Sequence, residues 1–341
     1  MGHSYRGGTT VTFKLLTKLS FMAILISLAL LSILVALYSG VFYRPVDLSK
    51  QPVEGNFVDV NGNTIHYLKS GHGPPVVLVH GFGAWSFSWR KNIKPLSKYF
   101  TVYAIDLLGF GLSDKPREGP YTIESQAALV SAFMENVGLK KATLIGNSLG
   151  GEIAMRIAVR YPGKVDSLIL IDSSGYREKP YIPEWVPRPI FKATLRTFFL
   201  NRSQVEKTIR LAYYKDRLIN SNIIDGYYLP TKTRGVEDAL VSMSKQLQLG
   251  RGRTTINLIE RPTLIVWGKH DQIIPVDDAF RLRRAIKHSR IVVINDAGHA
   301  PQEEKPAVVN TLIRAFIEDN WSKDARGSTV IPRYHAFRDG R

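Results

Sequence analysis

The sequence predicts an α/β protein with a mostly parallel central sheet and helices on both faces. A helical insertion interrupts it and a transmembrane helix precedes it. Three observations lead there. Several short runs of Val, Ile and Leu are continuous rather than alternating, as expected of strands buried on both faces. Helical patterns alternate with those runs. Between Lys18 and Arg44 stand twenty-five uncharged residues in succession, "LSFMAILISLALLSILVALYSGVFY".

Taken in order, residues 1–18 form a basic N-terminal segment and residues 19–43 the uncharged span. That span is long enough to cross a bilayer core of about 30 Å as a helix. A cleavable signal has an apolar region of only about 7–15 residues, so the reading is an uncleaved single anchor. Arg6, Lys14 and Lys18 precede the span, whereas Arg44 and Lys50 follow it. The positive-inside rule then puts the main domain on the extracytoplasmic side of the membrane. Residues 44–55 read as a polar linker.

Strands are expected at Phe57–Val60, Thr64–Leu68 and Val76–His80, in "FTVYAID" from Phe100 and in "ATLIG" from Ala142. "VDSLILID" from Val165, "TLIVWG" from Thr263 and "RIVVIND" from Arg290 continue the series. Ile153, Ala154, Ile157 and Ala158 share one helical face, and Pro162-Gly163 ends that helix. Val308, Leu312 and Phe316 recur every four residues in another. Residues 56–174 and 256–321 would thus form the core, and residues 175–255, with several prolines and no convincing strand, a helical insertion. That insertion carries fifteen Lys/Arg against seven Asp/Glu. Residues 322–341 read as a polar, basic tail.

Across all 341 residues, 46 Lys and Arg against 29 Asp and Glu give a net charge of +17. Two readings stand: basic side chains that keep the surface soluble, or affinity for an anionic lipid surface. Nucleic acid is not expected as a partner, because no recognition motif accompanies the charge. The absence of cysteine excludes disulfides, thiolate catalysis and cysteine-ligated metals.

Chemistry concentrates on "LIGNSLGG". Gly146, Asn147, Ser148, Leu149 and Gly150 match G-x-S-x-G between a strand-like run and a helix, the setting in which this motif presents a nucleophile on a sharp turn. A structural Gly/Ser turn is the bland alternative. A serine hydroxyl needs a base. Of eight histidines, His299 follows the last strand in "NDAGHAPQEEKP", behind Gly298, at a sheet edge. An orienting acid is expected between serine and histidine in chain order. Asp271, after the penultimate strand, is the choice, and Asp172, at the end of "LILID", is its rival. Asp277 and Asp278 read as helix caps and His288 as part of a charged helix. In "HGFG", His80 and Gly81 brace a loop whose Phe82 N–H could meet the Leu149 N–H at a developing oxyanion.

Five stretches in order, "HGFG", "DLLGFGLSDKP", "GNSLGG", "WGKHDQIIP" and "DAGHAPQEEKP", resemble the α/β-hydrolase superfamily from about Val53 to Trp321. The resemblance implies Ser148 as nucleophile, His299 as base, Asp271 as acid, Phe82 and Leu149 as oxyanion donors, and residues 175–255 as a cap. "DLLGFGLSDKP" is similar to haloalkane dehalogenases and epoxide hydrolases, but those use an aspartate nucleophile. "GNSLGG" is similar to C–C bond hydrolases of meta-cleavage products. That group's longer glycine-rich loop and its tryptophan after the histidine are missing, and Ala300 stands there. Anchor and cap together resemble membrane-bound monoacylglycerol lipases and related esterases. The expectation is a membrane-anchored serine hydrolase of lipophilic or short-to-medium acyl esters, needing neither metal nor organic cofactor. A C–C bond hydrolase and a slowly turning ligand receptor are the alternatives. Trp185, Phe191 and Phe198 either line an acyl channel or pack the cap's own core.

Overall fold

In a computed structural model of the chain, residues 54–176, 187–198, 200–246 and 252–326 are described, together with the isolated residue 34. The rest of the expected anchor at 19–43, Trp185 and the tail beyond residue 326 lie outside the described residues. Among the described residues no helix is long and apolar enough to cross a membrane.

The eight strands are β1 (Asn56–Val60), β2 (Asn63–Ser70), β3 (Pro75–Val79), β4 (Thr101–Ile105), β5 (Ala142–Asn147), β6 (Val165–Ile171), β7 (Thr263–Gly268) and β8 (Ser289–Ile294). They form one sheet in the order β1-β2-β4-β3-β5-β6-β7-β8. The pairs β1–β2 and β2–β4 are antiparallel and all others are parallel. The β1–β2 hairpin turns on Asn61-Gly62, both at positive φ, the Asn-Gly chemistry of a tight turn.

The apolar runs have two faces to fill. Val77 and Val79 of β3, Leu168 and Leu170 of β6 and Ile265 and Trp267 of β7 pack into one core. Their neighbours Val76, Leu78, Ile169, Ile171, Leu264 and Val266 pack into a second core on the opposite face. Strict alternation between two dry layers explains why these strands read as continuous hydrophobic stretches.

Helices α1 (Ile123–Asn136) and α2 (Leu149–Arg160) cover the first face. Between β6 and β7 come α3 (Arg188–Phe198), α4 (Arg202–Ala212), α5 (Ser221–Tyr228) and α6 (Val236–Gln246), with no strand among the described residues of that stretch. Ile209, Tyr213, Ile223 and Ile224 form a small core there, which Ala300 joins from the segment after β8. Helix α7 (Asp277–Ala285) follows β7, and α8 (Pro306–Arg326) covers the second face.

Three local expectations need correction. Val308 is exposed: Leu312 and Phe316 lie on the buried stripe of α8 as expected, but the stripe begins at Val309 and also takes in Ile313. Asp277 and Asp278 occupy the first turn of α7 rather than its cap position, which Val276 takes without a side-chain capping bond. His288 lies on a turn between α7 and β8 rather than in a helix, since Ile286 already leaves helical geometry.

Candidate active site

All parallel strands end at one sheet edge, where loops from different strands can converge on a ligand. Five of these loops, after β3, β5, β6, β7 and β8, carry the candidate residues.

At the end of β5 the chain must reverse into α2 within one residue. Ser148 takes φ 54° and ψ −118°, a strained conformation for a residue with a side chain. Its neighbours must be small. A Cβ on Gly146 would lie 2.3 Å from the Gly150 carbonyl oxygen, and one on Gly150 would lie 2.1 Å from the Val79 oxygen. The turn is held by the Ser148 N–H donating to the Ile171 carbonyl at 3.0 Å and the Ser174 N–H donating to the Ser148 carbonyl at 3.0 Å. Gly81 passes so close that a Cβ there would sit 3.1 Å from the Ser148 Cβ.

The loop after β3 is braced by His80, which is fully buried. Its Nε2 accepts from the Leu107 N–H at 3.0 Å, so the proton sits on Nδ1, which donates to the Gly81 carbonyl at 2.7 Å. Burial pushes this imidazole below its ordinary pKa, in keeping with a neutral ring. Among the described residues, the amides of Phe82 and Leu149 donate to no backbone or side-chain acceptor, which leaves both N–H groups available. The Phe82 ring is exposed and packs edge-on against Phe110.

On the other side, the His299 Nδ1 lies 2.7 Å from Asp271 Oδ2. The Asp271 side chain is fully buried, and its Oδ1 accepts from the N–H groups of Ile273 at 2.7 Å and Ile274 at 2.9 Å. With Asp271 accepting, Nδ1 carries the imidazole proton and Nε2 keeps a lone pair. Asn147 joins the two sides. Its Nδ2 donates to the carbonyls of Ile171 and His299, both at 3.1 Å.

Asp172 also reaches this centre. It is fully buried at φ 43°, and its Oδ1 accepts from the Gly268 N–H at 3.0 Å. Burial, reinforced by the charge of Asp271, holds its carboxyl well above the usual range. One side-chain atom each of Asp172, Asp271 and His299 lie within 4.8 Å of one another. Within the cluster, Asp271 and His299 are joined directly by the hydrogen bond to Nδ1. Of the aromatics expected near a pocket, Phe191 is half-buried on α3, whereas the side chain of Phe198 lies outside the described residues.

Sequence reasoning missed the junction between this loop and the insertion. Glu303 is buried and accepts from Arg90, from the hydroxyl of Tyr213 at 2.9 Å and from that of Tyr227. Burial and the Glu303 charge push both phenols far above their ordinary pKa. Glu304 accepts from the N–H of Gly298 at 2.7 Å and of Tyr214 at 2.8 Å, and burial raises its pKa. The His299 N–H donates to the Ala212 carbonyl at 2.6 Å. A ring stack at 3.8 Å joins Tyr214 to His270, the neighbour of Asp271. The only local signal was the pair of adjacent glutamates in "QEEKP", on a segment otherwise rich in buried residues.

Residues 74–306 match the family model described as alpha/beta hydrolase fold. An uncharacterised hydrolase of Bacillus subtilis is 30% identical over 270 residues, covering 78% of this chain and 98% of its own. A meta-cleavage product hydrolase from Pseudomonas fluorescens is 26% identical, with a TM-score of 0.68, over 77% of this chain and 97% of that one. A structure described as a membrane phospholipase A, a bacterial virulence factor, is also 26% identical, with a TM-score of 0.67, over 91% of this chain and 99% of its own.

Proposed function

We propose, from the premise that the chain belongs to the alpha/beta hydrolase fold family, that it cleaves carboxylic esters through an acyl-enzyme on Ser148. The observation that carries this reading is the His299–Asp271 pair beside the strained Ser148 turn, with Asn147 bonding the His299 backbone.

His299 Nε2 takes the proton of the Ser148 hydroxyl as the oxygen attacks the ester carbonyl. Asp271 keeps the imidazole in the tautomer that leaves Nε2 free and stabilises the imidazolium that forms. The N–H groups of Phe82 and Leu149 donate to the oxyanion, each contributing about 3 kcal/mol. The alkoxide leaves with the proton from His299, and water repeats the sequence on the acyl-enzyme. His80 and Gly81 keep the first donor in register, while Gly146 and Gly150 let Ser148 stand clear of the sheet. No step calls for a metal or organic cofactor.

The substrate proposed is a lipophilic or short-to-medium acyl ester. Support comes from the uncharged span at 19–43, read as an anchor with the catalytic domain on the extracytoplasmic side, and from the likeness to a membrane phospholipase A. An anionic lipid surface fits the net charge of +17. The likeness to a meta-cleavage product hydrolase favours one second reading, C–C bond cleavage by the same serine.

The test is labelling with a fluorophosphonate probe and turnover of p-nitrophenyl esters from acetate to palmitate. Ser148→Ala is expected to abolish labelling and to lower kcat by about 10⁴-fold or more. Turnover of a vinylogous diketone without any ester turnover would move the assignment to C–C cleavage. A folded protein that neither labels nor turns over points to a ligand receptor. Retention of the full chain in carbonate-washed membranes checks the anchor.

A further inference from the structure

We propose that Asp172 is a positioning residue whose neutral carboxyl donates its proton to Asp271, so that the two acids carry a single negative charge beside His299. This rests on the reading of His299 and Asp271 as the base and its orienting acid.

Asp172 leaves β6 and Asp271 follows β7, and these strands are parallel neighbours. The Asp172 N–H donates to the Val266 carbonyl at 3.0 Å, which continues the ladder to the last residue before the loop. Its side chain reaches the end of β7, where Oδ1 accepts from the Gly268 N–H, and side-chain atoms of Asp172, Asp271 and His299 lie within 4.8 Å of one another.

Two carboxylates in such a place cannot both ionise without a compensating cation. The titratable groups that bear most on Asp172 are two further acids, Asp271 and Glu304, and His299 lies in the same cluster. One proton must be held among the acids, and the donors decide where. Asp271 accepts three hydrogen bonds, from the amides of Ile273 and Ile274 and from His299. Asp172 accepts one, from Gly268, and its Oδ2 is buried with no partner among the N–H and O–H donors of the described residues. An unpartnered carboxyl oxygen away from water is costly as an anion and satisfied as a donor. Charge therefore resides on Asp271 and the proton on Asp172 Oδ2, aimed at Asp271. Catalytically, Asp271 gains a donor that fixes its rotation toward Nδ1, and Asp172 needs no contact with substrate.

The sign of the pH dependence follows. An acid whose pKa is higher folded than unfolded contributes stability that is fully present below the unfolded value, near 3.9. That contribution is lost as pH rises through the folded value. Asp172→Asn has no proton to lose and keeps a neutral donor of the same shape. Its melting temperature is expected to rise relative to the native protein from pH 5 to pH 9 and to converge with it near pH 4. The difference infrared spectrum, native minus Asp172→Asn at pH 7, should show the C=O band of a carboxylic acid, shifted in D2O. Asp172→Leu, which removes the donor, should lower kcat about tenfold with KM little changed, and Asp172→Asn should recover most of that loss.

An Asn variant that melts lower than the native protein at neutral pH, or the absence of the acid band, overturns the proposal by making Asp172 an anion. The melting and infrared measurements need no turnover. If fluorophosphonate labelling fails throughout, the hydrolase assignment fails, while the shared proton is still tested.

Discussion

The two sides of the candidate site are built from opposite materials. The serine turn is made of backbone: one strained residue, two glycines and a handful of amide–carbonyl bonds. The acid–histidine side is made of buried acids: Asp172 and Asp271 from loops that follow strands, and Glu303 and Glu304 from the short helical turn after His299, reaching partners far along the chain. Steric parts fail when an atom is added. Electrostatic parts fail when a partner is taken away. The two sides should therefore respond to different substitutions, by amounts that can be ranked.

The largest effect belongs to the steric side. Gly150→Ala places a Cβ 2.1 Å from the Val79 oxygen and 2.6 Å from that of His80, both backbone atoms of a central strand and the loop after it. Neither can rotate away. The cost should exceed about 4 kcal/mol, which a domain of ordinary stability does not survive well. Soluble yield and thermal melting check it. A well-folded Gly150→Ala protein would mean that the serine turn tolerates repacking, and the contrast between the two sides would lose its basis.

That contrast also explains what could be read in the sequence. All eight strands were legible to within one or two residues: the central ones as apolar runs buried on both faces, the outer ones, with exposed positions among the apolar ones, because turn residues bound them. The serine turn was legible because its cause is local: five residues carry the whole steric argument. The acid was legible only as a choice between two, since Asp172 and Asp271 leave adjacent strands at the same edge; the bond from His299 and the amides of Ile273 and Ile274, which go to Asp271, are what distinguish them. Less legible still is the Glu303 junction. Its partners Arg90, Tyr213 and Tyr227 are 213, 90 and 76 residues away in sequence, and no periodicity links them. Val308 shows a smaller limit: a spacing of four finds a helix but does not decide between two neighbouring stripes.

The electrostatic side is tested next. Glu303→Gln leaves the Arg90 guanidinium without its carboxylate and the two tyrosine hydroxyls with a weaker acceptor. Breaking a buried pair costs about 3–5 kcal/mol, and the low end applies because Arg90 keeps about a fifth of its side chain exposed. Adding Arg90→Met to Glu303→Gln should recover part of the loss, a coupling that thermal melts of the three variants measure. Additive losses would mean that the junction is shape rather than charge.

The smallest effect is the most informative, because Asn147 belongs to both sides. It precedes Ser148 on the turn, yet its amide donates to the His299 carbonyl as well as to that of Ile171. Asn147→Ala removes two neutral hydrogen bonds, about 1–2 kcal/mol together, and creates no clash. If turn and histidine loop were independent, melting would fall and the rate of fluorophosphonate labelling would hold. The expected outcome is otherwise. With the amide gone, the histidine loop is held mainly by bonds to the insertion and to Glu304, through Ala212, Gly298 and Tyr214. Its distance from the serine is then free to vary, and small misplacements of a base are expensive in rate. Labelling should slow about tenfold for a stability loss of only about 1–2 kcal/mol. That ratio of rate to stability separates a bond that aligns the two sides from one that merely fills a hole.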